Sequence, residues 1–311
     1  MRQITVIIIF VFLFCASAES AFIEQNWGTR GAGKGGAFIA SADDSSSMVW
    51  NPAGLAQIYM RECSFYYNKP YLGLDGVDIH MGNFSFVYPL YGIINTGISA
   101  SIYSGNSIYK EHIYKLSAAR DFFFIIPNMY PVKVSAGINL KYLYHSFIWD
   151  DEIKALDDPL TDKKGAGAFT MDIGFLFNPL YRMPVGITVN NLIKADVGLI
   201  EEDIVPSVVS LGTAYRFEDM GKFEEIIPEV KLSLRDQEYG QKLDYALGVE
   251  TWFSMRKVGL RTGFNRNEIC FGLTYERFIE NIGFRIDYAA LVSTIIGSNL
   301  GSHRISTSIK F

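Results

Sequence analysis

Four histidines, His80, His112, His145 and His303, and three cysteines, Cys15, Cys63 and Cys270, are the residues of this 311-residue chain suited to bind a metal or act as base and nucleophile. They share no metal-ligand spacing, and neither H-E-x-x-H nor G-x-S-x-G occurs. A hydrolase that set Ser, His and an acid on adjacent strands would need no local motif, and His145 or His303 would be its base. Otherwise the histidines read as structural or surface residues. The expectation is no catalysis, no cofactor and no metal.

Two phosphate-binding patterns nearly occur between Gly28 and Ala37. Gly31, Gly33 and Gly36 have dinucleotide spacing, but no strand precedes them and no βαβ unit follows. Gly28, Gly33 and Lys34 imitate a phosphate loop, yet Gly35 stands where Ser or Thr should ligate magnesium. Gly31, Gly33, Gly35 and Gly36 are instead expected to let one backbone pass close to another in a confined lumen. A net charge of −5 lacks the basic footprint of nucleic-acid binding.

The elements that would position these residues are strands. From about 61 onward, short alternating segments are separated by turn residues, with no extended helical period. Fourteen strands are expected, near 61–68, 80–89, 93–104, 108–121, 132–147, 167–178, 184–192, 205–217, 229–236, 242–253, 257–266, 268–278, 282–292 and 302–311. One face is apolar, as in Leu243, Tyr245, Leu247 and Val249. The other mixes charge, glycine and small polar residues, as in Asp244, Ala246, Gly248 and Glu250. Ile305, Thr307, Ile309 and Phe311 alternate with Arg304, Ser306, Ser308 and Lys310 to the last residue.

Such strands suit a soluble sandwich with its apolar faces inward, or a transmembrane barrel with those faces toward lipid. Three features favour the barrel: a signal-like N-terminus, scarce Pro within strands, and the terminal Phe. Residues 1–18 carry Arg2, an apolar run from Ile4 to Phe14 and Ala16-Ser17-Ala18, as a cleavable secretory signal does. A retained N-terminal anchor is the alternative, and bulky Phe14 argues against lipidation at Cys15. No later stretch reaches the roughly 20 apolar residues of a membrane helix, although 49% of residues are hydrophobic.

Connections at 69–79, 105–107, 148–166, 193–204, 237–241, 267 and 293–301 would face outward, with shorter turns such as 90–92, 254–256 and 279–281 on the inner side. The connections 122–131 and 218–228 are long for inner turns. Aromatics near strand ends, including Tyr67, Tyr142, Trp252 and Tyr288, would form interface girdles. The inward face carries both signs, among them Lys141, Glu250, Arg261, Arg285 and Asp287, which predicts neutralised pairs and not a one-sign ion filter. Cys63 and Cys270 fall on opposite faces and should not pair.

Residues 22–60 do not alternate. Ala42-Asp43-Asp44 followed by Trp50-Asn51-Pro52-Ala53-Gly54-Leu55 resembles the N-terminal signature of the FadL-like outer-membrane proteins, including the PorV-like branch of accessory barrels in secretion. The resemblance runs on through Val189-Asn190-Asn191-Leu192, Leu211 to Phe217, Gly248 to Phe253 and His303 to Ser306. It implies an all-β, fourteen-stranded antiparallel barrel over 61–311 in the bacterial outer membrane, with 19–60 folded inside as a hatch containing Asn51, Pro52 and Ala53. It implies passive uptake of hydrophobic molecules such as long-chain fatty acids. A non-transporting scaffold for secretion components is the alternative. Arg304, Ser306, Ile309 and Phe311 resemble the signal read by the barrel assembly machinery, with Ser306 in place of the usual Gly. The chain departs from the FadL pattern in its short outer loops. Only 148–166, with Trp149, Ile153, Leu156 and Leu160, could form a partial lid; its acids also suit a solvated loop.

Overall fold

Along strand after strand, large aliphatic and aromatic side chains lie exposed while Ser, Asn, Lys, Arg, Asp and Glu are buried. Leu243, Phe271 and Ile286 are each more than half exposed, whereas Glu250 and Asp287 are fully buried. This inverts a soluble core and matches a wall whose solvent is lipid. The computed structural model describes residues 21–22, 27–124, 132–149, 163–237, 240–296 and 300–311. The expected signal 1–18 and most of the 148–166 loop, including Ile153, Leu156 and Leu160, lie outside the described residues.

The strands are β1 (Glu62–Lys69), β2 (Ile79–Leu90), β3 (Ile94–Gly105), β4 (Tyr109–Phe124), β5 (Val132–Phe147), β6 (Gly165–Leu180), β7 (Met183–Asn190), β8 (Ala195–Asp196) and β9 (Ile204–Val205). They continue with β10 (Val208–Ala214), β11 (Phe217–Met220), β12 (Phe223–Gln237), β13 (Gly240–Phe253), β14 (Val258–Asn265), β15 (Glu268–Ile279), β16 (Ile282–Ser293) and β17 (Ser302–Lys310). Both β10 and β11 pair with β12, so they are two pieces of one strand, and fourteen antiparallel strands close through β17 against β1. Closure leaves no edge within the wall, which satisfies the backbone where water is absent. Arg61 and Phe311 exchange backbone hydrogen bonds of 3.1 and 2.9 Å, so the chain's end lies beside the start of the barrel at its inner rim.

Two expectations need correction. The stretch 218–228 is not a long inner connection: β11 and β12 run through it, turning at Gly221. Pro228 lies within β12 with the register to β10 and β11 unbroken: its carbonyl accepts from Tyr215 N–H at 3.1 Å, and the donor that proline lacks accounts for the ladder bond missing between β10 and β11. The 193–204 connection holds the β8–β9 hairpin, whose Ala195, Val197 and Val205 are buried over the outer mouth. Trp252, expected in a girdle, points inward and is buried, since it falls on the same face as Glu250. Cys270 is buried against Ala32 and Cys63 is only partly covered; both are free thiols.

Candidate functional site

Residues 27–58 fill the lumen as a compact plug: α1 (Thr29–Gly33), α2 (Ser47–Trp50) and a 3₁₀ turn (Pro52–Gln57) joined by tight bends. Both helices are too short to be stable alone, so their shape comes from the wall around them. Gly31 lies against Trp50, where a β-carbon would come 2.4 Å from the indole, and Gly33 lies against Gly272 of β15. Gly35 and Gly36 have φ of +68° and +92°, a bend that other residues adopt only with strain.

The wall is cut to receive this backbone. Gly137 and Gly174 face each other across β5–β6, Gly186 and Gly212 across β7–β10, and Gly248 and Gly263 across β13–β14. A β-carbon at Gly174 would lie 2.1 Å from Asn51 Oδ1, and one at Gly137 would lie 2.3 Å from the Pro52 carbonyl carbon. A β-carbon at Gly186 would come 2.3 Å from the Ile39 carbonyl oxygen, and one at Gly263 would come 2.2 Å from the Lys34 carbonyl carbon. Each glycine pair is thus a notch for one bend of the plug. Sequence reading missed these six residues. Their signal is glycine on the inward positions of amphipathic strands, which became meaningful once register placed the members side by side.

Asn51 ties three segments together. Its Nδ2 donates to the carbonyls of Ile39 at 2.8 Å and Phe175 at 3.2 Å, and its Oδ1 accepts from Ala53 N–H at 3.1 Å. Pro52 rests in the Gly137–Gly174 notch, and Ala53 is fully buried. The structure therefore groups Asn51, Pro52 and Ala53 at one wall contact, while Gly33 and Gly35 meet the wall at Gly272 of β15 and Phe264 of β14; Gly31 faces Trp50 within the plug, and Gly36 closes the bend onto the Gly31 carbonyl. Arg304 faces inward and is buried; Ile309 and Phe311 face outward.

Charged contacts fasten the plug further. Arg30 forks onto Glu250 through Nε–Oε1 and Nη2–Oε2 contacts of 2.8 Å each, and it also pairs with Asp43. Asp44 accepts from Arg285 at 3.0 Å, Ser45 Oγ donates to Glu62 at 2.9 Å, and Lys34 Nζ donates to Glu229 at 2.8 Å. Burial alone would raise the Asp44 carboxyl, but Arg285 and Arg30 override it and hold it below the usual carboxylate range. Asp43 is lowered in the same way, its burial outweighed by Arg30 and Arg216; burial would lower Arg30, but Asp43, Glu250 and Asp44 together hold it above its ordinary value. Depressed carboxylates supply stability above their ordinary pKa near 4 and lose it as the pH falls below that. Protease protection of the plug is therefore expected to stay constant from about pH 5 to 8 and to fall in acid below about 4. A change in protection inside the neutral range would contradict this.

Neither a family model nor a curated protein matches the sequence. Solved structures do match. A TodX monoaromatic hydrocarbon channel mutant is similar with a TM-score of 0.56, 11% identity, and coverage of 93% of this chain and 98% of that one. The P. putida toluene transporter TodX follows at 0.52 and 11% identity, covering 91% and 96%. A Pseudomonas aeruginosa FadL homologue aligns at 0.50 and 12% identity, covering 91% and 97%. The chain has the FadL-type fold.

In this FadL-type barrel the plug divides the lumen. On the outer side Phe22, whose N–H donates to Glu111 at 3.1 Å, packs with Leu143, Ala195, Val197 and Val205 beneath the β8–β9 hairpin. His145 Nε2 holds that hairpin through the Val197 carbonyl at 2.7 Å. A cavity of about 50 Å³ remains there, lined by Phe22, Trp27, Ile113 and Leu143 with Lys141 and Asp172 at its polar side. The inner vestibule is larger, about 440 Å³, and charged: Arg30, Asp43, Arg256, Glu276, Arg285 and Lys310 line it. The remaining histidines are accounted for locally. His80 bonds Tyr67 and Asp78, His303 bonds Tyr288 and the Leu300 carbonyl, and the His112 ring stacks on Tyr114. Among the described residues no group of His, Cys, Asp or Glu could hold a metal ion.

Proposed function

We propose that the protein is a passive outer-membrane channel for hydrophobic molecules, with residues 19–60 acting as a hatch that must shift for passage. The observation that carries this reading is the plug seated in paired glycine notches of a wall with the FadL-type fold. Support comes from the similar structures, described as a toluene transporter, a monoaromatic hydrocarbon channel and a FadL homologue. The apolar side of the outer cavity suits such cargo. Its 50 Å³ cannot hold a long acyl chain, so a fatty acid would enter only with the hatch displaced. The charged inner vestibule is a poor path for an apolar molecule.

The native thiol Cys270 packs against Ala32 of the plug and permits a direct test. Vesicles carrying the wild-type barrel are expected to take up labelled toluene or palmitate faster than empty vesicles. In Ala32→Cys, oxidation to a bond with Cys270 should stop uptake and reduction should restore it. Uptake no faster than in empty vesicles would overturn the channel and favour the accessory-barrel scaffold. Unchanged uptake in the cross-linked form would overturn hatch gating alone.

A further inference from the structure

The glycine notches have a consequence on the opposite face of the wall. At Gly248 and Gly263 the backbone of β13 and β14 lies directly against Lys34, and at Gly212 that of β10 lies against Ile39, so no side chain separates wall from plug there. A hollow of about 760 Å³ lies on the membrane side of these strands, lined by Thr213, Val230, Leu247, Val249, Thr262 and Phe264. Along β13, Leu247 and Val249 are half-buried in it, while Leu243 and Tyr245 on the same face stand exposed.

The hollow offers almost no free polar group. Thr213 and Thr262 turn their hydroxyls onto the carbonyls of Pro184 and Cys270, both at 3.3 Å, leaving their methyls to the membrane. Glu229 and Asn265, which reach its floor, are bonded inward to Lys34 and to the Gly35 carbonyl. At the outer rim the lining changes character. Arg266, in the turn between β14 and β15, lies exposed at the end of the barrel opposite Phe311. No carboxylate pairs with it among the described residues.

An apolar trough running down from a single cation at headgroup height matches one molecular form: an acyl chain beneath a phosphate. We propose that this groove binds a phosphate-bearing acylated lipid of the outer leaflet, with an acyl chain along Leu247 and Val249 and its phosphate on Arg266. Such a lipid would brace the thin wall from outside at the point where the plug presses on it from inside. The site needs no transport and stands apart from the channel proposal.

The probe is lipid A doped into phosphatidylethanolamine vesicles, and native mass spectrometry of the released barrel is the readout. The wild type is expected to retain one lipid A. Arg266→Glu should weaken retention about tenfold, equivalent to about 1.4 kcal/mol, and Leu247→Trp should abolish it by filling the trough. Heat-modifiable migration on SDS gels checks that each variant folds. Retention of no lipid A by the wild type, or equal retention by all three proteins, would overturn the proposal. So would loss of a dimer in Leu247→Trp with lipid retention unchanged, which would make a second copy of the chain the occupant.

Discussion

Gly174→Val is expected to leave the barrel folded and unseat its plug. A valine suits a strand better than glycine does, by roughly 0.5–1 kcal/mol, so pairing of β5, β6 and β7 should survive and the protein should still resist SDS until heated. Its β-carbon, however, would fall 2.1 Å from Asn51 Oδ1 and 2.8 Å from Pro52 Cδ, with the rigid proline ring unable to yield. Overpacking of this kind costs roughly 1–3 kcal/mol, equivalent to a roughly 5- to 150-fold larger population of unseated plug. Protease cutting within 27–58, and leakage of a polar dye from vesicles, should rise accordingly. Gly82→Val is the control, since its nearest neighbour would be 3.8 Å away. Equal protection of the plug in both variants would refute the notch as its seat.

Glu250→Gln should have the larger effect on stability. Glu250 is fully buried and receives Arg30 through two contacts of 2.8 Å and Arg261 through one of 2.6 Å. The substitution keeps the shape and removes the charge, leaving two guanidiniums with their shared counter-ion gone. Breaking a buried pair from one side typically costs about 3–5 kcal/mol. Urea unfolding in lipid vesicles should register a loss of that order. Combining Glu250→Gln with Arg30→Met should cost less than the sum of the single changes, because the two groups share one interaction. A loss below about 1 kcal/mol would mean that Asp43, Asp44 and Asp287 suffice to hold both arginines.

The barrel was legible in the sequence because its rule is local. Alternation with period two needs no partner to be read, so the faces of β13 to β17 and the outward aromatics followed from residue order alone. Two expectations failed, one for a reason in the neighbouring strand and one against the alternation itself. The expected connection 218–228 ended at Pro228, yet β12 continues through it, because the one ladder bond a proline cannot donate falls between β10 and β11 while pairing with β13 runs on. Trp252 looked like an interface aromatic from its place near a strand end, yet it shares the inward face of Glu250 and lies beside Arg30, Arg256 and Arg261.

The candidate site was only half legible. Asn51, Pro52 and the glycines from 31 to 36 stood out by composition, and an inward surface of mixed sign foretold neutralised pairs. Which pairs form depended on closure, which brings Arg30 to Glu250 over a separation of 220 residues and Asp44 to Arg285 over 241. The wall glycines carried no distinctive local pattern. A glycine in a strand reads as a weak strand former until its cross-strand neighbour is also glycine and a backbone lies against both.

By itself, then, the sequence determined the strands, their lipid-facing side and the existence of a non-alternating segment, since these rest on backbone geometry and on the transfer of side chains between water and hydrocarbon. The tertiary structure alone decided how that segment is held. Notches and buried ion pairs exist only between residues that barrel closure makes neighbours, and no spacing along the chain encodes that adjacency.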